Sequence, residues 1–147
     1  MAFTLEGKSL IEKAKEAMLC IFSEEELGGM KKRYELAETS IKNVSKGDFE
    51  KNFEEKTEAT RKKIEGMAES YLHGNWSEAS EVAEWMGFFH GAALAHWNLV
   101  KGAAEGAGNE DLMNISLNAI GMHEELLCDA CAHLSSLGVL SAEGKTS

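Results

Sequence analysis

Proline is absent from the sequence. The residue that most disrupts a helix interior therefore never interrupts the chain. Threonine and valine are few, whereas Ala, Glu, Lys, Leu and Met are abundant. That balance favours helix over sheet. Long apolar runs are also missing. None reaches the ~18 residues of a membrane span, and the N-terminal MAFTLEGKSL has no apolar signal core. Cysteines number only three and are widely separated. An odd, scattered set does not make a disulfide framework, so a reducing cytoplasm is expected.

Positive charge is scarce. The net charge of −10 argues against a nucleic-acid partner. The deficit is uneven: from Gly74 onward only Lys101 and Lys145 stand against ten acids. The basic triplets Lys31-Lys32-Arg33 and Arg61-Lys62-Lys63 are flanked by Glu. They read as solvated helix faces with i,i+4 pairs. A small anion or acidic-partner patch is the alternative.

Catalytic signatures are missing as well. There is no nucleophile with its base, no phosphate loop, no paired-carboxylate acid/base site. The Glu-x-x-His pattern of di-iron bundles and the His-Glu-x-x-His pattern of zinc hydrolases are absent too.

What remains is organised around residues 77–137, which hold four of the five His and two of the three Cys. Apolar residues recur at helical spacing at Val82, Trp85, Met86, Phe89, Ala92, Ala93, Trp97, Val100 and Ala104. Ser77 is the expected cap of this helix. Residues 106–109, GAGN, supply a left-handed Gly and a capping Asn109. A second stripe follows: Met113, Leu117, Ile120, Leu127, Cys131 and Leu134, flanked by Leu112, Leu126, Ala130 and Leu137, with Gly138 as the expected stop. The spacing predicts two antiparallel helices over 78–105 and 110–137.

Ahead of this hairpin the spacing predicts three more helices. One runs from Leu5 to Phe22. The next starts at the capping box Ser23–Glu26 and passes through Gly28-Gly29. The third is capped by Gly47-Asp48 and ends at Gly74-Asn75. The expectation is a single all-α domain of 147 residues, an antiparallel bundle of about five helices, with a frayed tail over 139–147.

His96, His123 and Glu124 are the best candidate constellation. His96 and His123 fall within the apolar arcs of the two arms, about one turn apart across the hairpin. Imidazole and carboxylate are ordinary metal ligands, and bundle cores host such sites. Structural histidines bonded to each other are the simpler account. No cofactor is expected, and a metal ion at these three residues is the minority alternative. Cys128-x-x-Cys131 lacks the second Cys pair of a thiolate zinc site. Cys131 reads as a small core residue. His90, at the arc's edge, has Cys128 as a candidate partner.

Gly87 and Gly91 lie opposite the arc of the first arm, where each costs roughly 1 kcal/mol against Ala. They make sense if another helix approaches there. Trp85, Phe88 and Trp97 widen the arc beyond what one neighbour covers. These five residues form the candidate interface, and a homodimer is expected. The functional expectation is a non-enzymatic helical interaction or self-association module, with a further protein partner allowed. The alternative is a metal- or ligand-binding bundle, or an enzyme, using the His96/His123/Glu124 region.

Overall fold

The computed structural model describes residues 1–45 and 50–144, with the backbone alone at 50–52. Gly47 and Asp48, invoked above for a cap, lie outside the described residues, as do 145–147 of the tail. Among the described residues there are six helices and no strand: α1 (Ala2–Lys13), α2 (Lys15–Met18), α3 (Glu24–Val44), α4 (Glu50–Leu72), α5 (Ala79–Gly106) and α6 (Glu110–Ala142). This is the all-α bundle the composition implies. None of the helices is long and apolar enough to cross a membrane.

The boundaries follow local chemistry. Ser23 accepts from the Glu26 amide, and the Glu26 carboxylate accepts from the Ser23 amide. These reciprocal bonds satisfy two otherwise orphaned donors at the start of α3. The helix then runs through Gly28-Gly29 without a break. α4 stops where His73 and Gly74 take positive φ, 48° and 84°. α5 is capped by Glu78, whose carboxylate accepts from the Ser80 amide, instead of by Ser77. Gly108, at φ 64°, turns the chain out of α5. Asn109 then accepts from the Leu112 amide 3.0 Å away and opens α6.

Several boundaries differ from expectation. The first helical segment spans Ala2 to Met18 in place of Leu5 to Phe22. The first helix is divided at Ala14, whose φ of −104° and ψ of 23° separate α1 from α2. Ala14 and Ala17 are fully buried, so the bend lets the chain hug α5 with small side chains. At the other end α6 passes through Gly138 and continues to Ala142. A single Gly costs a helix only about 1 kcal/mol, too little to stop one this long.

The hairpin of α5 and α6 is the most extensively packed pair. α3 packs on α6, and α4 and α2 pack on α5, while α1 packs on α3 and α4 and reaches α5 through Phe3. The core includes Phe3, Leu10, Met18, Met30, Tyr34, Ile41, Leu72, Val82, Met86, Phe89, Trp97, Met122 and Leu126. The basic triplets are spent largely within the chain. Arg33 bridges to Glu125 of α6 at 2.6 Å, and Arg61 to the buried Glu6 of α1 at 2.8 Å. Burial pushes the Glu6 carboxyl up, partly offset by Arg61.

The burial of α6 is shifted by one residue from the expected stripe. Ser116, Ala119, Leu126 and Ala130 are inside, not Leu117, Ile120, Leu127 and Cys131. One residue is about 100° of rotation. The inner set is smaller, which lets the two long helices come close. The bulkier set is left on a flank: Leu117 is 45% exposed and Cys131 is exposed.

At one point two helices touch without slack. A Cβ added to Gly7 would lie 2.2 Å from Cζ of Tyr34 and 2.5 Å from its hydroxyl. Tyr34 is fully enclosed and has little room to move. Gly7→Ala is expected to cost about 1–3 kcal/mol, the range for overpacked cores, read from urea unfolding midpoints at unchanged slope.

Candidate functional site

The hairpin carries a polar pair at the centre of the bundle. His90 of α5 and His123 of α6 are each 1% exposed, and their Nδ1 atoms are 2.9 Å apart. That separation requires one ring to donate Nδ1–H to the bare Nδ1 of the other. Phe89 stacks edge-on against both rings, at centroid distances of 5.1 and 6.1 Å. The Tyr34 ring meets His123 edge-on at 6.1 Å. Two buried polar atoms there have no hydrogen-bond partner, the Tyr34 hydroxyl and His123 Nε2. If His123 donates, its Nε2 is an unmet acceptor. If His90 donates, it is an unmet N–H. The unmet acceptor costs less, which assigns the Nδ1–H tautomer to His123.

Burial keeps both rings uncharged. The His90 pKa falls to about 3, through desolvation and the neighbouring His123 ring. That of His123 falls to about 4, through desolvation and the Arg33 guanidinium. Burial likewise raises the Tyr34 phenol far above its usual range. This is an apolar pocket of three neutral polar rings, sealed from water.

The proposed trio is not brought together. His123 is in the core, but His96 is exposed. It stacks on Phe3 at 4.9 Å, and its Nδ1 lies 3.2 Å from the Ala92 carbonyl of its own helix. Glu124 is exposed on the far flank of α6. The physical reason is the centre of the buried arc. It runs through Met86, Ala93 and Ala104, from which His90 stands about 40° to one side and His96 about 80° to the other. α6 covers the first side and the end of α1 only part of the second. His90 thus has His123 as its partner, and Cys128 is exposed. Among the described residues no three His, Cys, Asp or Glu side chains converge so as to hold a metal ion.

The candidate interface residues divide. Trp85 and Trp97 are core, 4% and 5% exposed. Phe88 is 59% exposed. Gly87 and Gly91 are half-buried, and a Cβ added to either meets nothing within 4 Å. Among the described residues no other helix fills the space they leave. Beyond them the outer side of α5 continues through exposed Ala92, Ala95, Leu99, Gly102 and Ala103. Leu99 was missed in the sequence although it falls in register with Phe88 and Gly91. Its exposure, 72%, is the highest among the large apolar residues.

No protein-family model matches the sequence, and no curated protein or solved structure matches it either.

The histidine pair makes stability depend on pH with a definite sign. Both folded values lie below the unfolded value of about 6.5. The unfolded chain therefore binds more protons as pH falls between 6.5 and the folded values. The pair contributes its full stability above pH 6.5 and loses it below, at up to about 1.4 kcal/mol per pH unit for each ring. Urea unfolding at pH 7 and pH 5 should show this fall, and a His90→Leu/His123→Leu double variant should remove it. Ring-proton NMR should show two imidazoles still uncharged at pH 5.

Proposed function

We propose that the chain is a non-enzymatic self-association module that forms a homodimer through the outer face of its α5–α6 hairpin. The observation that carries this is the outer side of α5. From Phe88 to Gly102 it presents Phe88, Gly91, Ala95, Leu99 and Gly102 and no charged residue. An ordinary surface helix carries charge opposite its core. A helix that is apolar all round belongs in an interior, and here one chain supplies only half of it. A flank of α6 adds apolar surface of its own, with Leu117 45% exposed and Ile120 half-buried. Exposed contiguous apolar surface of this kind marks interaction sites, and two-fold pairing is the commonest way to bury it. Cys20, Cys128 and Cys131 are exposed free thiols, in keeping with a reducing cytoplasm.

A second reading, ligand binding, rests on one cleft of about 350 Å³. Phe3, Ile41, Phe53, Trp97 and Leu112 line it together with His96 and Lys56. Its size and lining suit a small apolar molecule. Titration with an apolar fluorophore, read through Trp97 emission, tests it: saturable change supports the reading and a linear response removes it.

For self-association, sedimentation equilibrium at micromolar concentration should give twice the chain mass of 16.1 kDa. Leu99→Glu should shift the protein toward monomer without loss of helix by circular dichroism. A single species of chain mass at every concentration would remove the proposal.

A further inference from the structure

The outer side of α5 has an internal symmetry. Its two large side chains are Phe88, 59% exposed with one edge of its ring against Tyr71 of α4, and Leu99, 72% exposed. Its two bare positions in the same stripe are Gly91 and Gly102, where an added Cβ meets nothing within 4 Å. Ala95 is the midpoint of both pairs: Gly91 and Leu99 lie equally far from it on either side, and so do Phe88 and Gly102. A two-fold axis through Ala95, relating antiparallel copies of α5, sets each projection opposite a bare glycine.

We infer that the occupant of this face is a second copy of the chain, docked antiparallel about Ala95, with Phe88 against Gly102 of the partner subunit and Leu99 against Gly91 of the partner subunit. This rests on the self-association reading and specifies its register. Three further observations support it. Every large projection on the uncharged stripe finds a hole, as close helix packing requires. The glycines lower helix stability by about 1 kcal/mol each, and nothing within one chain makes use of the space they open. The uncharged stripe from Phe88 to Gly102 is about 22 Å long. With the neighbouring flank of α6 it makes a face about 20 Å wide and on the order of 450 Å² on each subunit, the scale of a weak, reversible pairing. A partner with an unrelated surface would gain nothing from the mirrored spacing. An isologous interface requires it, because the same patch serves both subunits.

The test separates register from association. In a background with Cys20, Cys128 and Cys131 changed to Ser, Ala95→Cys should form a disulfide-linked dimer rapidly on mild oxidation. Leu36→Cys, exposed on α3, should not. Phe88→Gly and Gly102→Phe should each weaken dimerisation about tenfold or more, as loss of a buried anchor or a new clash does. The combined variant restores projection and hole with their places exchanged and should recover most of the loss. Circular dichroism of each variant checks that the helices are intact. A stable dimer that fails to cross-link at Ala95→Cys, and in which the two changes simply add, overturns the register and leaves self-association standing. A wild-type monomer overturns both.

Discussion

Close packing of α5 against α6 is the constraint on which every other contact depends. The inner face of α6 is built from Ser116, Ala119 and Ala130 among larger residues. Ser116 turns its hydroxyl back onto the Leu112 carbonyl at 2.8 Å, so even this polar residue leaves no unmet donor. Small residues let two long helices approach and present one continuous surface to the rest of the chain. α3 needs that surface, since it buries little beyond Leu27, Met30, Tyr34 and Ile41. An amphipathic helix with so thin a stripe is stable chiefly through what it packs upon.

The same packing places imidazoles where their charge is forbidden. A buried polar pair stabilises little compared with an apolar pair of the same shape. It does discriminate among arrangements, because a slip of α6 along α5 would separate His90 from His123 and leave both unpaired in a dry interior. Register along the hairpin is thus held by a penalty on the alternatives. Tyr34 adds to this, with its ring against His123 and its hydroxyl against Gly7.

Much of the architecture was legible in the residues. Ser23 and Glu26 announced α3, Asn109 announced α6, and period-3.6 stripes gave both arms of the hairpin. The rotation of each arm was not legible, because α5 is apolar on nearly every side and α6 has two adjacent stripes. Periodicity then has no unique centre. That ambiguity exchanged His96 for His90 and Leu117 for Ser116. Both His90 and His96 lie within about one turn of facing His123, so distance from the turn cannot choose between them. The break at Ala14 was invisible for another reason: nothing in Lys13-Ala14-Lys15 disfavours helix locally, and the bend comes from packing on α5. The outer stripe of α5 was partly visible in Gly87, Gly91 and Phe88. Leu99 escaped because its neighbours were read as core.

The order of the helices along the chain has a consequence for synthesis. The hairpin that completes the core is made after the helices that pack on it. At about 5–20 residues per second, residues 1–72 wait roughly 4–14 seconds for the chain to reach residue 142. A strongly apolar half would be at risk during that interval. This half instead carries 13 basic and 15 acidic residues before Gly74, nearly balanced and interspersed. Its share of the core, Phe3, Leu10, Met18, Met30, Tyr34, Ile41 and Leu72 among it, is interspersed with charges that keep it hydrated. α5 and α6, the more apolar helices, meet each other across a short turn as soon as both exist.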